Sequence, residues 1–475
     1  MTGVSRDTLL SLLEGAVRAA RALGATDAEA SHAGQLLGIT RFANSTITQS
    51  GVVVERRTRL RVALGDRVGT AMTSALDEAG LADAARSAVE LARHQPPTPK
   101  FPGFSRPSPD RPPHESGFFE ATSGLGPKER AEAVARVFVR AERDNLLCAG
   151  TFVTSPKQLA VVTARGVAAY HQFTQAGLEL IALDGDASGY ASFHGPDVTQ
   201  MDLSSLAERA VDTACRSRKK ITMAPQRLDV VLAPPAVVSL LEWMAMTSFS
   251  ARAVLDGTSF LVGAGDASDE ARGGEARTGG TQLWDPSITL IDDWGYDHPS
   301  VVPFPFDAEG TPRRRVVLVD RGLRGRPVTD RQSAALLDDE GGSTGHAAFL
   351  GEELAEGPFP ANIVCLPGDA STADLISRVE RGLFVTRFHY VNGFLDTKRA
   401  AMTGMTRDGT FLIEDGRLGA AVTNLRFTER IVEAFSRAGG VGKDLVACPT
   451  SWSTWGNYLA PALLLREFHF TGQSR

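Results

Sequence analysis

Within its first 220 residues the chain shows the same order of predicted elements twice: a helix, then strands, then a second helix. Apolar residues spaced three and four apart indicate the helices, and runs rich in β-branched residues indicate the strands. The predicted ranges are 7–23, 52–54, 58–64 and 78–92 in the first copy, and 127–143, 151–193 and 203–216 in the second. A unit that recurs in this way predicts an internal duplication.

Residue identities support the same duplication. The match covers the end of a strand, a Gly-Asp turn and the residues after it, with Asp184 as one inserted residue. The aligned residues are Val62-Ala63-Leu64, Gly65-Asp66, Gly69 and Ala71 with Ile181-Ala182-Leu183, Gly185-Asp186, Gly189 and Ala191. Because element order and residue pattern agree, chance similarity in an Ala- and Gly-rich sequence is the weaker explanation.

A proline-rich segment separates the two copies. Eight prolines lie between Pro96 and Pro113. This density excludes a regular helix or a central strand, because proline lacks the backbone N–H and has a fixed φ. We therefore expect residues 95–126 to form an extended surface linker inside the N-terminal domain.

Beyond residue 222 the pattern becomes rich in strands, and helix signals are sparse. The predicted strands are 228–232, 315–320, 363–366, 383–391, 410–413 and 420–427. A chain of 475 residues also exceeds the size at which one hydrophobic core stops growing, about 250–300 residues. The sequence therefore predicts an α+β protein of two domains. The N-terminal domain, residues 1–222, is α/β with the duplicated helix-strands-helix unit, and the C-terminal domain, residues 223–475, is β-rich.

Two local features add detail to the C-terminal domain. Asp408-Gly409 and Asp415-Gly416 flank a short apolar run. Asp-Gly is a favoured hairpin turn because both residues tolerate positive φ, so a β-meander is expected there. Residues 263–280 contain six glycines and almost no large apolar side chain, which predicts a mobile loop.

Charge and cysteine content exclude several classes of protein. The chain has 50 Lys and Arg and 56 Asp and Glu, a net charge of −6, and no long basic run, which argues against a nucleic-acid surface. Pro234, Pro235 and Glu242 interrupt its most apolar stretch, residues 228–246, so no membrane span is expected. The four cysteines are scattered without a CxxC pair, and no signal peptide is recognisable, so a cytoplasmic protein is expected.

Several long stretches resemble the TldD/PmbA family, which is also called the modulator of DNA gyrase family. Those in the second half are FVTRFHYVNGFLDTKRAAMTGMTRDGTFLIEDGRLG from Phe384, AVTNLRFTERIVEAF from Ala421, and PALLLREFHFTG near the C terminus. The N-terminal passage SGVVVERRTRLRVALGDRVGTAMTSAL is also similar to the family's first domain. The resemblance therefore covers most of the chain, and it implies a role in a cytoplasmic peptidase.

The family has two branches that differ in one zinc motif. The resemblance implies that TldD-type subunits carry HExxxH on a helix of the second domain, with a later cysteine, whereas PmbA/TldE-type subunits lack it. Zinc hydrolysis needs about three protein ligands, an open position for water and a glutamate that accepts its proton. No two of the nine histidines here lie within five residues of each other. HExxH and HExxxH are both absent, so the chain resembles the PmbA/TldE-like branch.

The resemblance also locates where the motif would be. Gly257-Thr258-Ser259 matches the residues that follow the zinc motif in the other branch. Counting back without a gap puts Glu242, Trp243 and Thr247 at the positions of the first histidine, the glutamate and the second histidine. None of the three keeps its role, so no metal ligand and no catalytic residue is expected in this chain.

The same stretch also fits a purely structural role. Its apolar residues recur at helical spacing and predict a buried helical face, with Glu242 exposed or paired. The residues of that face are Leu240, Leu241, Met244 and Phe249.

Four further residues are candidates for a substrate groove or an interface: His346, His389, Asn392 and Cys448. His346 lies in GGSTGH, and His389 and Asn392 lie in RFHYVNG, two stretches that resemble the family. Cys448 is roughly where the resemblance implies the cysteine ligand of the zinc branch, but without histidine partners we expect it to pack as a small apolar residue. The alternative is a core or interface hydrogen bond for His389 and a glycine-shaped turn around His346.

Three interpretations of function follow. The resemblance implies a non-catalytic subunit without a cofactor of its own, which pairs with a zinc-bearing TldD-type homologue and helps it act on unfolded or leader peptides. An exposed strand edge of the second domain would receive the peptide by strand addition. The second interpretation is a stand-alone, homodimeric peptide-binding or scaffold protein. The third is a hydrolase with an unrecognised site around Cys448 or His389.

Overall fold

A computed structural model describes residues 4–109, 117–262, 281–349, 357–450 and 455–473. The predicted mobile loop, residues 263–280, lies outside these ranges, as does part of the proline-rich linker. The helices are α1 Arg6–Ala22, α2 Glu78–His94, α3 Glu120–Ser123, α4 Pro127–Glu142, α5 Leu203–Arg216, α6 Pro234–Thr247, α7 Ala251–Leu255, α8 Arg331–Leu336, α9 Thr372–Ser377 and α10 Ile431–Ser436.

The strands alternate with these helices in the first half and dominate the second half. They are β1 Asp27–Ala43, β2 Thr46–Leu64, β3 Arg67–Thr73, β4 Leu147–Thr163, β5 Ala168–Asp184, β6 Ala187–Gly195, β7 Lys220–Ile221, β8 Gln226–Leu232, β9 Leu290–Asp292, β10 Val316–Asp320, β11 Leu323–Arg324, β12 Ile363–Cys365, β13 Arg381–Asp396, β14 Ala401–Glu414, β15 Arg417–Val422, β16 Leu425–Arg430, β17 Ala438–Val441, β18 Val446–Cys448, β19 Tyr458–Ala460 and β20 Leu463–Gln473. This mixture confirms the predicted α+β class.

The first six strands form one antiparallel sheet in the order β3-β2-β1-β4-β5-β6. In the first copy α2 packs on β3 and β2, and in the second α5 packs on β6 and β5 in the same way. The order of helix, three strands and helix therefore occurs twice, as predicted. The sequence does not predict β1, because residues 27–34, its first eight, contain no β-branched residue, although all eight are buried.

Each residue of the second copy is numbered 120 higher than its equivalent in the first copy. This offset relates the turn glycines, Gly65 and Gly185, and also the glycines that follow them, Gly69 and Gly189. The expected insertion at Asp184 is therefore wrong, because that residue is the regular end of β5. A Cβ on Gly69 would lie 2.2 Å from the carbonyl oxygen of Ala88, and one on Gly189 2.0 Å from that of Ala210. Both glycines let a helix approach its sheet closely.

The remaining strands form two further sheets. One has the order β11-β10-β9-β12-β19-β18, and the other has the order β13-β8-β20-β16-β14-β15-β7, with β17 paired to β20. Because β13 also pairs with β14, the strands β13, β8, β20, β16 and β14 close into a barrel. Phe388, Phe427 and Phe468, one from each of three barrel strands, pack with ring centroids 4.5–6.0 Å apart. The predicted domain boundary at residue 222 stays a prediction.

The two predicted Asp-Gly turns have different outcomes. Asp415-Gly416 forms the turn between β14 and β15, as expected. The prediction of a turn at Asp408-Gly409 is wrong, since both residues lie inside β14 with positive φ values of 55° and 123°. The pairing register with β13 shifts between Val385 and Arg387 at this point, so these residues form a bulge.

The most apolar stretch of the sequence divides into β8 and α6. Proline at the first helical turn costs no intrahelical hydrogen bond, so Pro234 and Pro235 begin α6. The helix is 14 residues long and apolar on all sides, as expected for a helix inside a core. No helix in the described ranges is long and apolar enough to cross a membrane.

Candidate functional site

A groove of about 560 Å³ lies where the first sheet meets α6, β13 and the residues after β18. Its lining residues are Glu179, Tyr190, Pro235, Val238, Ser239, Glu242, Trp243, residues 387–392 and residues 448–450. We call this surface the groove. It contains five of the residues singled out in the sequence: Glu242, Trp243, His389, Asn392 and Cys448.

Helix α6 supplies one wall of the groove. The expected apolar face is present, since Leu240, Leu241 and Met244 are all fully buried. Glu242 is 7% exposed, and it has an interaction partner. Trp243, also 7% exposed, takes the position at which the resemblance implies a glutamate. The most buried helix of the C-terminal part therefore presents an indole and a carboxylate to the groove.

Strand β13 supplies the second wall and has a free edge beside the groove. Strand β8 pairs in parallel with residues 382–385 and ends at Leu232. The next backbone N–H, of Ala233, donates to the carbonyl of Val385 at 2.9 Å, and the chain then turns into α6. Among the described strands only β14 pairs with residues 387–396. No described strand therefore pairs with the opposite edge of this segment, beside which α6 packs.

An exposed apolar surface continues from the groove along β13. Tyr390, Phe394 and Leu395 are 77%, 62% and 54% exposed. The ring of Phe394 meets that of Trp243 edge to face at 5.1 Å. A Cβ on Gly393 would lie 2.9 Å from the Trp243 ring, so the glycine lets the strand pass close to the indole. We call these three exposed side chains the apolar shelf.

Charged groups line the end of the groove that belongs to the first sheet. Arg387 forms an ion pair with Asp408, and its guanidinium carbon lies 4.2 Å from the centroid of the Tyr190 ring. Desolvation raises the pKa of Glu179 although part of its side chain stays exposed, and the nearby charge of Arg387 opposes this rise. Burial and the Glu179 charge raise the pKa of Tyr190, which is therefore un-ionised.

The possible nucleophile and base of the groove are both neutral. Burial lowers the pKa of His389, and the positive charges of Arg407 and Arg387 lower it further. Burial raises the pKa of Cys448 to about 12. Since a thiolate, not a thiol, is the nucleophile, this shift disfavours Cys448 as a nucleophile at neutral pH.

The groove does not fit a zinc ion. The Thr247 hydroxyl donates to the carbonyl of Trp243 at 2.8 Å, inside its own helix. Trp243 has no atom that binds a metal, so of the three motif positions only Glu242 offers a metal ligand. Among the described residues no three His, Cys, Asp or Glu side chains converge as a metal site. The donor set at the motif positions therefore lacks the ligands that zinc requires.

His346, also predicted for a groove or interface, lies elsewhere. Its side chain is fully buried, and its Nε2 lies 2.9 Å from Oδ1 of Asp292. The same carboxylate oxygen accepts a hydrogen bond from Arg313 at 2.7 Å. Thr247 is also outside the groove lining. His346 therefore lies apart from the groove candidates, and Thr247 contacts them only through its bond to the Trp243 carbonyl.

The sequence analysis did not identify Glu179, Tyr190 or Arg387 as groove residues. Glu179 lies on β5 and Tyr190 lies on β6. Strand β13 begins at Arg381, 191 residues after Tyr190. No local motif marks them. Only the packing of the first sheet against the C-terminal part brings them to the groove.

Comparisons with known proteins agree with this architecture. A family model described as the PmbA/TldA metallopeptidase C-terminal domain matches residues 225–472. A metalloprotease of Methanothermobacter thermautotrophicus is 23% identical over 279 residues, 57% of either chain. A metalloprotease TldD homolog of Buchnera aphidicola is 25% identical over 157 residues, 33% of this chain and 31% of that one. The matches thus span from about a third to just over half of these relatives.

Solved structures match over almost the whole chain. TldE from Thermococcus kodakarensis superposes with a TM-score of 0.83 at 19% identity, covering 97% of this chain and 100% of that one. A putative modulator of a DNA gyrase from Thermotoga maritima gives a TM-score of 0.80 at 16% identity, with 97% and 99% covered. At these identities the likeness shows a common fold. Since the family model covers more than half of the sequence, the chain belongs to the PmbA/TldD family of metallopeptidase-related proteins.

Proposed function

We propose that this chain is a non-catalytic, metal-free subunit that pairs with a zinc-bearing TldD-type homologue in the cytoplasm and holds an extended peptide for it. The observation that carries the proposal is the groove itself. It lies at the zinc-motif positions of α6, beside a strand edge with which no described strand pairs, and its described residues do not form a zinc ligand set. The peptides would be unfolded or leader peptides.

The free edge of β13 supports the mode of binding. An extended peptide can pair its backbone with residues 387–396, and such pairing makes little demand on sequence. The apolar shelf and the ring of Trp243 then cover alternate side chains of the peptide, since successive side chains of a strand point to opposite faces. A groove of about 560 Å³ is large enough for such side chains.

The chemistry of the groove supports a division of labour between two chains. Peptide hydrolysis requires an activated water or an activated nucleophile. Burial raises the pKa of Cys448 to about 12, and burial together with the charges of Arg407 and Arg387 lowers the pKa of His389, which weakens it as a base. The hydrolytic centre is therefore proposed to be on the partner.

The groove proposal is tested by peptide binding to the full chain. Isothermal titration with an unstructured apolar peptide is expected to give saturable binding, and Phe394→Ser is expected to weaken it about tenfold, since one buried aromatic contact contributes about 1.4 kcal/mol or more. Met72→Ser is the matched control, because Met72 is 66% exposed and Phe394 62%. Unchanged binding by Phe394→Ser, or equal weakening by Met72→Ser, would contradict the proposed groove.

A further inference from the structure

A second pocket, of about 400 Å³, lies on the sheet that contains β9 to β12. Its walls come from the residues just before β10, from β10 and β11, and from the two residues after β11. The described lining residues are Arg314, Arg315, Val316, Val317, Asp320, Leu323, Arg324, Gly325, Arg326 and Thr344. We call this surface the arginine pocket. None of its described lining residues also lines the groove.

The sequence of this hairpin is rich in arginine. Residues 313–326, RRRVVLVDRGLRGR, contain six arginines and no lysine, whereas the whole chain has 50 Lys and Arg among 475 residues. Arg313 is buried and pairs with Asp292, but four of the other five arginines line the pocket. A guanidinium group is planar and donates two parallel hydrogen bonds to a phosphate or carboxylate, which an ammonium group cannot do. The hairpin therefore has the side chains that recognise oxyanions.

The fold brings arginines from both ends of the hairpin to one place. Arg314 Nη1 donates to the carbonyl of Gly341 at 2.9 Å. A Cβ on the same glycine would lie 3.7 Å from both terminal nitrogens of Arg326, which pairs with Asp339. Two guanidinium groups thus meet at one glycine beside a single carboxylate, an arrangement that an anion between them would stabilise.

The carboxylates nearby do not balance these charges. Asp320, an acidic residue of the lining, lies 3.7 Å from Arg321, which is outside the lining. Arg315 lies 3.9 Å from Asp293, and Arg324 donates to a backbone carbonyl at 3.1 Å. Five guanidinium groups and three carboxylates of the described residues therefore lie at the pocket, in a chain whose net charge is −6. The excess of positive charge favours an anionic ligand.

The pocket also has an apolar surface. Val317 is 37% exposed on β10, and Leu323 of β11 is half-buried. A Cβ on Gly325 would lie 2.2 Å from the carbonyl oxygen of Val317, so the glycine lets the chain after β11 lie close to β10. The volume of about 400 Å³ is within the range of small-molecule sites. An apolar group of a ligand can therefore pack beside its anionic group.

We propose that the arginine pocket binds a small soluble ligand that carries a diphosphate group and a ring, such as a nucleoside diphosphate. Two adjacent phosphoryl groups present oxygens to arginines on both sides of the pocket, which a single carboxylate cannot do. The ring packs on Val317 and Leu323. Because the pocket and the groove share no described lining residue, this inference is separate from the proposed function.

Isothermal titration of the full chain with ADP, inorganic pyrophosphate and adenosine tests the proposal. We expect saturable binding of ADP with a Kd below about 100 µM at about 0.1 M salt. Pyrophosphate should bind more weakly than ADP, because it lacks the ring. Adenosine should not bind measurably, because it lacks the phosphoryl groups.

Two variants locate the binding. The double variant Arg314→Gln, Arg315→Gln should raise the Kd for ADP more than about tenfold, because it removes two charged donors from the pocket. Arg321→Gln is the matched control, since Arg321 lies on the same hairpin but outside the lining. This control should change the Kd less than about threefold. Both variants should melt close to the wild-type temperature, because all three arginines are exposed.

Four results would overturn the proposal. ADP could fail to bind at concentrations up to about 1 mM. The double variant could bind ADP as the wild type does, which would place the site elsewhere. Arg321→Gln could weaken binding as much as the double variant, which would show an effect of net charge and not of the pocket. Pyrophosphate could bind as tightly as ADP, which would show that no ring packs on Val317 and Leu323.

Discussion

The C-terminal part contains two regions in which a histidine lies among charged residues, and they differ in how far their polar groups are satisfied. In the first, which we call the buried cluster, Asp292, Arg313 and His346 are almost fully buried and bond to one another. In the groove, His389 is half-buried beside an open strand edge and an exposed apolar shelf. A buried cluster whose charges pair with one another stabilises the fold, whereas a half-buried surface beside an unpaired strand edge can bind another molecule.

The largest expected effect is on the buried cluster. Asp292→Asn keeps the shape of the side chain but leaves Arg313 buried without its counter-charge, which typically costs about 3–5 kcal/mol. Urea unfolding should show this decrease in the free energy of unfolding, while the folded variant binds peptide as the wild type does. A decrease below about 1 kcal/mol would show that the cluster is not a structural element.

A smaller effect is expected from pH. Burial lowers the pKa of His346, and Arg313 lowers it further, so the folded chain binds this proton less readily than the unfolded chain. Stability is therefore highest above the unfolded value near 6.5 and declines as pH falls, by up to about 2 kcal/mol at pH 5. Unfolding by urea at pH 7 and pH 5 measures this decline.

Two variants distinguish the contribution of His346 to this pH dependence from that of His389. His346→Gln should reduce the dependence on pH, because it removes one buried proton acceptor, whereas His32 and His194, whose pKa values burial also lowers, remain. His389→Gln should change it less, because His389 is only half-buried. Equal slopes for His346→Gln and the wild type would show that His346 does not titrate as its burial requires.

The smallest effect is expected at Glu242. This residue lies at the first ligand position of the absent zinc motif, but Trp243 and Thr247 at the other two positions offer no partner for metal chemistry. Glu242→Gln should change peptide hydrolysis by the mixed pair of chains less than about threefold. A loss of more than tenfold would give the Glu242 carboxylate a chemical role and make the groove more than a binding surface.

Local sequence patterns predicted an element well where its buried residues recur at a regular spacing. Helix α5 begins and ends at the predicted residues, Leu203 and Arg216. The signal failed for β1, whose buried first half contains no β-branched residue, and at Asp408-Gly409, where positive φ values belong to a bulge instead of a turn. Both failures arise because the neighbouring strand, not the local sequence, decides the structure.

The groove was only partly predictable. Of the four residues expected in a groove, His389, Asn392 and Cys448 line this one, and Glu242 and Trp243, which counting from Gly257 placed at the zinc-motif positions, also line it. Glu179 and Tyr190 could not be found, because the packing of two distant parts of the chain creates their environment. The free edge of β13 also depends on where β8 ends, which periodicity does not specify.

The most direct test of the central claim measures hydrolysis of an unfolded protein by this chain alone, by an HExxxH-bearing homologue alone, and by their mixture, with the zinc content of each. The account predicts hydrolysis only by the mixture, with zinc on the homologue and none on this chain. Hydrolysis by this chain alone, with about one zinc per molecule, would contradict it.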